Sequence, residues 1–304
     1  MNIIGPDALV FGVDDVEVCE SFLVDYGLEA KGNGLFAALD GTGVIVKAKD
    51  DADLPEALST GNMLRKTVYG VADQATLDAI KAELGKDREV KTLAGGSLES
   101  VDDMGFAIGF QITVRKPLSL KAELVNAPGD THRPVNEVGA VQGHVPKPRT
   151  LSHVVYFVPD FKKMEAFYEE RLGFKVTDRF TNAGSFLRPA GTSDHHTLFT
   201  IQTPAHMQGC EHFAFHLGGP SEVLSAGSAF VKKGYEPFWG PGRHVFGSNY
   251  FWYFKSPLGC VLEYDADMDT HDNEWVAREA DFRADNSQIF LFQYRETWAP
   301  GGGN

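Results

Sequence analysis

The chain has 304 residues, and 28 lysines and arginines against 42 aspartates and glutamates give it a formal net charge of −14. This acidic balance excludes a nucleic-acid binder, because neutralising phosphates requires a basic surface. It also disfavours docking to an anionic membrane. Hydrophobic residues make up 43% of the chain and charged residues 23%, as in an ordinary globular protein.

The sequence also bears on the cellular compartment. No apolar run approaches the roughly 18–20 residues needed to cross a bilayer, and the N-terminal segment lacks the basic stretch and apolar core of a signal peptide. Three cysteines are too few for a disulfide framework and fit a reducing compartment. We therefore predict a cytoplasmic protein with neither a membrane partner nor a nucleic-acid partner.

Two segments that lie 145 residues apart repeat the same pattern. Residues 8–15 and 153–160 are both short apolar runs rich in valine and aromatic residues, which is typical of β-strands. A segment with helical spacing follows each run and ends at a glycine, Gly27 in the first copy and Gly173 in the second. Two further pairs of segments correspond, 66–73 with 212–219 and 103–110 with 257–264.

The repeat divides the chain into two modules of similar length. A stretch rich in proline, glycine and polar residues over 127–150 separates them and is typical of a linker. We predict an N-terminal module over residues 1–143, a C-terminal module over 149–285 and a C-terminal tail over 286–304.

The two copies differ at three positions that carry potential metal ligands. The second copy has His153, His212 and Glu263. The first copy has, in the same order, Ala8, Lys66 and Gly109. A residue needed for the fold would persist in both copies, so the difference favours a role in a site. Two imidazoles and one carboxylate are the components of the facial triad, which binds Fe(II) and leaves positions open for substrate and oxygen.

A structural interpretation of these three residues stands beside the functional one. A single histidine at the start of a strand is more often a hydrogen-bonded structural residue than a metal ligand. Residues this far apart in sequence can share one ion only if their strands line a common cavity, as in a curved sheet or barrel. The residues alone leave both interpretations open.

Several segments of the second copy resemble the vicinal-oxygen-chelate superfamily, and within it the type I extradiol ring-cleaving dioxygenases. They are LSHVVYF at 151–157, EHFAF at 211–215, GRH at 242–244 and FKSPLGCVLEY at 254–264. The resemblance implies an α+β fold of two tandem modules, each made of paired βαβββ units. Each module would be a curved, barrel-like mixed sheet that encloses a cavity, with metal only in the C-terminal module, and the N-terminal module would be degenerate.

The same resemblance implies roles for individual residues. His153, His212 and Glu263 correspond to the ligands of Fe(II), with Mn(II) as an alternative ion. His244 and Tyr253 correspond to groups that hydrogen-bond the bound diol.

An adjacent pair, His195 and His196, contains the residue that corresponds to the acid–base histidine of such enzymes. Successive strand residues face opposite sides, so only one of the two can enter the pocket. Thr197, two places after His195, favours His195, and we predict that His195 is the catalytic histidine.

The resemblance predicts an oxidoreductase that cleaves a catechol-type aromatic diol with O2 at a mononuclear non-haem iron. Such an enzyme would be a cytoplasmic homo-oligomer in aromatic hydrocarbon catabolism. The alternatives are a hydroquinone ring-cleaving dioxygenase, a glyoxalase-type isomerase or lyase with four shared metal ligands, and a non-catalytic binding module. No single residue identifies the ring substituents. Candidate partners for a substrate anion, with solvation at the surface as the alternative, are Arg179, Arg188, Arg243 and Arg295.

Overall fold

The computed structural model describes residues 1–292 of the chain. Two mixed β-sheets contain most of its regular structure, an eight-stranded sheet from the N-terminal half and a ten-stranded sheet from the C-terminal half. Within the described range, the helices are too short or too polar to cross a membrane.

The N-terminal sheet is built from two βαβββ units. The first unit comprises β1 (Ile3–Val13), α1 (Val16–Tyr26), β2 (Glu29–Gly32), β3 (Leu35–Ala37) and β4 (Gly43–Ala48). The second comprises β5 (Leu64–Val71), α2 (Gln74–Leu84), β6 (Lys91–Thr92), β7 (Leu98–Val101) and β8 (Ala107–Ile112). The first strands of the two units, β1 and β5, pair antiparallel at the centre of the sheet, and each pairs in parallel with the last strand of its own unit.

The C-terminal sheet repeats this plan after a linker hairpin of β9 (Asn126–Ala127) and β10 (Asp130–Thr131). Its first unit comprises β11 (Thr150–Val158), α3 (Phe161–Ala166), a π-helical turn (Phe167–Arg171), β12 (Lys175–Phe180), β13 (Gly184–Arg188) and β14 (Leu198–Gln202). After a 3-10 turn (Ala205–Met207), the second comprises β15 (Gly209–His216), α4 (Pro220–Lys232), β16 (Pro237–His244), β17 (Tyr250–Lys255) and β18 (Val261–Ala266).

Three short elements follow the last βαβββ unit. They are β19 (Arg278–Ala280), α5 (Ala284–Ser287) and β20 (Gln288–Leu291). β19 pairs with β12 and β20 pairs with β16, so they form the two edges of the ten-stranded sheet. Part of the segment delimited as the tail is thus a strand in the described residues, and the exact module boundaries stay a prediction.

An aspartate precedes and a glycine follows the helical segment after β1, and the same holds for the segment after β11. The side chains of Asp15 and Asp160 each accept a hydrogen bond from a backbone amide of the first helical turn, which satisfies a donor that the helix itself cannot pair. The helical segments stop before Gly27 and Gly173, whose φ angles are 114° and 76°. Glycine adopts this left-handed region without a Cβ clash, so the helix ends predicted from these glycines are confirmed.

Strand pairing confirms the correspondence between the two copies. Across three neighbouring strands, the paired residues are Ala8, Val68 and Gly109 in the first sheet and His153, Ala214 and Glu263 in the second. Lys66 lies two residues before Val68, and His212 lies two residues before Ala214. Lys66 and His212 therefore occupy corresponding positions in the two copies. The three potential ligands therefore stand at the positions where the first copy has alanine, lysine and glycine.

Two stacked tyrosines join the first module to the strand that carries Glu263. The Tyr26 hydroxyl donates to the backbone carbonyl of Glu263 at 2.6 Å, and the Tyr264 hydroxyl donates to the carbonyl of Tyr26 at 2.7 Å. Their ring centroids lie 4.0 Å apart, and both rings are buried. Helix α1 of the N-terminal module thereby fixes the backbone of β18 at this residue.

Helix α4 packs closely against β17 at a glycine. A methyl group at Gly227 would lie 2.0 Å from a ring carbon of Trp252. Trp252 and Phe254 face this helical side, where the Phe254 ring packs against helix α4. Tyr253 faces the opposite side, as the alternation of strand side chains predicts.

Gly227→Ala should destabilise the protein, although alanine favours a helix over glycine by about 1 kcal/mol. The added methyl group must displace α4 from β17, and overpacking a close-packed interior typically costs about 1–3 kcal/mol, occasionally more. We expect the free energy of unfolding, measured by denaturant titration, to fall by about 1–2 kcal/mol. Ser225→Ala, on the exposed side of the same helix, is the matched control and should leave it unchanged or slightly higher. Equal stability of the Gly227 variant and the wild type would contradict the tight contact.

Candidate metal centre

Three side chains from three neighbouring strands converge on one point. His153 lies on β11, His212 on β15 and Glu263 on β18, and these strands are adjacent in the sheet. The two Nε2 atoms lie 3.3 Å apart, and Oε2 of Glu263 lies 3.1 Å from that of His153 and 3.3 Å from that of His212. All three side chains are buried. The residues predicted as ligands therefore meet, and each lies inside its strand rather than at the strand's first residue.

The donor atoms are spaced to hold one first-row metal ion. Bonds of roughly 2.1–2.2 Å at right angles place neighbouring donor atoms about 3.0–3.1 Å apart. Glu263 is fully buried, and in the described part of the chain both of its carboxylate oxygens lack a hydrogen bond. An ionised carboxylate in such surroundings is costly without a cation. The site therefore fits a divalent ion bound by a facial triad, with open positions left for other ligands.

Each ligand histidine is held through its other ring nitrogen. Nδ1 of His212 donates to the carboxylate of Glu211. Nδ1 of His153 donates to the hydroxyl of Ser152 at 2.8 Å, and this hydroxyl donates to Asp265 at 3.0 Å. Such bonds fix the ring orientation and leave Nε2 for a metal. No sequence pattern predicts these three supporting residues, although each lies within two positions of a ligand.

The buried charges of the site shift one another's pKa values. Burial raises the pKa of Glu263, but the adjacent imidazoles of His153, His212 and His244 more than offset this and hold it well below its usual value. Burial lowers the pKa of His212, but Glu211 and Glu263 outweigh this and raise it to about 10. A divalent cation that binds here must therefore displace the proton that this pKa favours on His212.

His244 and Tyr253, predicted from the family resemblance to contact a bound diol, lie beside the triad. Nε2 of His244 lies 3.1 Å from the hydroxyl of Tyr253 and 3.8 Å from Oε1 of Glu263. Nδ1 of His244 donates to the carbonyl of Ser287 at 3.1 Å, so Nε2 accepts from the tyrosine. Burial raises the pKa of Tyr253 well above its usual value, and the phenol keeps its proton.

The acid–base histidine predicted from the sequence needs a correction, because the cavity wall contains His196 and not His195. The ring of His196 lies 4.4 Å from that of His153, whereas His195 is fully buried with its Nε2 2.8 Å from Asp178. Both histidines lie in a bent segment ahead of β14. The alternation of strand side chains does not apply there, and the two rings face each other with their Nδ1 atoms 2.9 Å apart.

Both members of this pair are neutral imidazoles. Burial lowers the pKa of His196 well below its usual value, and the nearby His153 and His195 lower it further. Burial also lowers the pKa of His195, although Asp178 opposes the shift. The neutral ring of His196 therefore keeps one nitrogen with a free lone pair.

The triad opens into a cavity of about 410 Å³. Much of its wall is aromatic, and the rings of Phe186 and Phe199 stack at 3.9 Å within it. The phenylalanines of this wall are Phe157, Phe180, Phe186, Phe199, Phe238, Phe246 and Phe282. Glu211 is a charged residue of the lining, and no described lysine or arginine lines the cavity.

The arginines considered as partners for a substrate anion are engaged elsewhere. Arg179 and Arg243 form ion pairs with carboxylates, and Arg188 donates to backbone carbonyls. Arg295 lies outside the described residues. These contacts fit a structural role for the first three.

Residues 150–264 match the family model described as the Glyoxalase/Bleomycin resistance protein/Dioxygenase superfamily. The matched residues lie in the C-terminal half of the chain, which is therefore similar to this superfamily. The chain is 38% identical over 155 residues to metapyrocatechase 2 of Cupriavidus necator, a match that covers 50% of this chain and 45% of that protein. It is 28% identical over 176 residues to a biphenyl-2,3-diol 1,2-dioxygenase of Paraburkholderia xenovorans (strain LB400), covering 54% and 57%. The chain thus spans about half the length of the curated relatives it matches.

Solved structures share the fold of both modules. An Mn(II)-bound glyoxalase from Novosphingobium aromaticivorans superposes with a TM-score of 0.73 at 21% identity, over 94% of this chain and 90% of that one. A 2,2',3-trihydroxybiphenyl 1,2-dioxygenase from Sphingomonas wittichii strain RW1 gives 0.71 at 18% identity, over 97% and 100%. The predicted α+β fold of tandem vicinal-oxygen-chelate modules is confirmed.

The purified protein should bind one divalent ion per chain, and Glu263→Gln should weaken this binding by roughly 100-fold or more, because the only carboxylate ligand is lost. Elemental analysis after anaerobic loading with Fe(II) or Mn(II) measures the stoichiometry. The same ion should raise the melting temperature of the wild type, since it binds the folded state alone. His206→Gln, at an exposed histidine, is the control and should bind normally. Stoichiometric, tightly bound metal in the Glu263 variant would contradict the assignment.

Proposed function

We propose that this chain uses O2 to cleave the ring of a catechol-type aromatic diol next to the diol, at an Fe(II) centre held by His153, His212 and Glu263. One observation carries the proposal: a triad with open positions meets the hydrogen-bonded pair of His244 and Tyr253 in an aromatic-lined cavity. The printed activities of the relatives from Cupriavidus necator and Paraburkholderia xenovorans support the same class of reaction. Mn(II) is the alternative ion.

The side chains around the triad supply binding and proton transfer. Fe(II) at this site would offer adjacent positions to the diol and to dioxygen and would favour the ionised diol. His196 presents a neutral imidazole, so it can take a proton from a diol hydroxyl and return it to the ring-opened product. Tyr253 keeps its proton and donates it to Nε2 of His244, so the tyrosine oxygen can accept a hydrogen bond from a hydroxyl of the diol.

The alternative functions differ in how well this site supports them. A glyoxalase-type site with four shared ligands would draw on the first module, where Lys66 forms an ion pair with Glu99 at 2.6 Å in place of a metal ligand. A non-catalytic binding module would need neither His196 nor the pair of His244 and Tyr253. A hydroquinone cleaver uses the same triad and stays an alternative.

The cavity favours a diol with an apolar substituent over one that carries a carboxylate. A single benzene ring fills an engineered protein cavity of about 150 Å³. A cavity of about 410 Å³ therefore has space for a second ring or an alkyl chain beside the diol. A carboxylate buried there would meet Glu211 and no lysine or arginine of the described residues, at a cost of several kcal/mol.

A substrate panel followed with an oxygen electrode tests the reaction and its selectivity together. We expect oxygen uptake and a ring-opened product with catechol, 3-methylcatechol and 2,3-dihydroxybiphenyl. The kcat/KM for the biphenyl diol should exceed that for 3,4-dihydroxybenzoate by about tenfold or more, because the carboxylate has no cationic partner. Uptake with hydroquinone alone would favour the alternative ring cleaver, and no uptake with any diol would refute the proposed reaction.

Two exposed phenylalanines provide a matched pair of variants for the same panel. Phe282 lines the cavity and Phe292 does not, and their exposed fractions are 57% and 59%. Phe282→Ala should lower kcat/KM for the biphenyl diol several-fold and leave catechol unaffected, while Phe292→Ala should change neither. Equal effects of the two variants would contradict a contact between Phe282 and the second ring of the substrate.

His196→Gln should keep the metal and the fold while kcat falls by about 10²–10⁴, the usual contribution of a positioned acid–base group. Metal content and melting temperature are measured alongside turnover, and both should match the wild type. Unchanged turnover in this variant would remove His196 from the mechanism.

We also infer a cytoplasmic location, which the three free cysteines support, because such thiols are typical of a reducing compartment. Assembly into a homo-oligomer stays a prediction from the family resemblance.

A further inference from the structure

We propose that Asp178 and His195 form a hydrogen-bonded relay that fixes the tautomer and orientation of His196, so that the Nε2 lone pair of His196 is available to the cavity. The catalytic meaning of this relay rests on the proposed function. The relay itself is a property of the protein chain without metal or substrate.

The relay starts at a buried carboxylate whose charge is held in place. Asp178, on β12, is fully buried and accepts hydrogen bonds from the backbone amide of Arg278 at 2.8 Å and from its guanidinium at 3.1 Å. Burial raises the pKa of Asp178, but His195 and Arg278 more than offset this, and the pKa falls below its usual value. Asp178 is therefore ionised and can only accept. Nε2 of His195, at 2.8 Å, must carry a proton.

The proton on Nε2 determines what the other nitrogen of His195 can do. A neutral imidazole has one donor and one acceptor, so Nδ1 of His195 is an acceptor. It lies 2.9 Å from Nδ1 of His196. A hydrogen bond between two nitrogens requires one donor, so His196 carries its proton on Nδ1. Its Nε2 then holds the lone pair.

The opposite tautomer of His195, with its proton on Nδ1, is incompatible with the carboxylate of Asp178. With its proton on Nδ1, His195 would direct the Nε2 lone pair at an ionised oxygen of Asp178 only 2.8 Å away. That arrangement is repulsive and leaves a buried acceptor unpaired. A doubly protonated His195 would be a cation in a fully buried position, which burial disfavours. One tautomer of each ring therefore satisfies the whole chain of contacts.

Backbone contacts keep the middle ring of the relay in position. The amide of His195 donates to the carbonyl of Asp269 at 2.8 Å. Gly247 approaches the ring so closely that a methyl group there would lie 3.1 Å from Nδ1. His195 and Asp178 are therefore positioning residues, which act through His196. When His196 takes a proton on Nε2, its Nδ1–H still donates to His195, and the charge of Asp178 stabilises the new cation through the intervening ring.

The tautomer of His196 can be measured without activity. Nitrogen-15 spectra of metal-free protein with labelled histidine, assigned with the help of His196→Gln, distinguish a protonated ring nitrogen from an unprotonated one. We expect a protonated Nδ1 and an unprotonated Nε2 for His196 of the wild type. A protonated Nε2 with a bare Nδ1 in the neutral wild-type ring would overturn the proposal.

Two substitutions of His195 separate the hydrogen bond from mere packing. His195→Leu removes the acceptor, so the proton of His196 should move toward Nε2. His195→Asn offers an amide oxygen in place of Nδ1 and should restore the Nδ1–H tautomer. An unchanged tautomer in the leucine variant would overturn the proposal. Should the leucine variant fail to fold, the spectra of the wild type and the asparagine variant still decide it.

Kinetics of the metal-loaded variants provide a second readout. His195→Leu should lower kcat by about 10–100-fold with little change in KM or metal content, and His195→Asn should recover most of the loss. Equal kcat values in the leucine variant and the wild type would overturn the relay's catalytic role. If the wild type cleaves no diol, the proposed function fails, while the spectra still test the relay.

Discussion

A fully buried carboxylate is the constraint on which the C-terminal module depends. Glu263 has no solvent around it, and an ionised carboxylate removed from water costs several kcal/mol unless positive charge lies against it. The neighbouring strands place the rings of His153 and His212 against it, and hydrogen bonds to the Ser152 hydroxyl and to Glu211 hold these rings in turn. The parallel and antiparallel pairing at the centre of the sheet thus brings donors from distant segments to one point.

The triad could be predicted from the sequence because the chain contains two copies of one unit, and only the second copy has potential ligands at the three corresponding positions. Ala8 shows that β1 forms without a histidine, so His153 at the matched position of β11 is not needed for the fold. The choice between His195 and His196 could not be made in this way. It depended on strand periodicity, and the backbone ahead of β14 bends there. Contacts with Asp178, which no local pattern in the sequence indicates, determine which ring turns inward.

The first module shows how the same fold manages without metal ligands. Lys66 and Glu99 form an ion pair in partly buried surroundings, where the second module has His212 and Tyr253. The ammonium group of Lys66 is a cation at the position that His212 occupies in the second module. Charge balance is thus maintained in both modules, by a side chain in one and by the prospective ion site in the other.

The hydrogen bond from the Tyr26 hydroxyl to the carbonyl of Glu263 makes the second module depend on the first for its structure. An isolated second module would lose the donor for that carbonyl and would expose the ring of Tyr264, which now stacks on Tyr26. Removal of the first module would therefore take away the support of β18 at the residue that completes the triad. The helix of the first module thus serves as a brace for the strand that carries Glu263, although none of the three triad residues lies in that module.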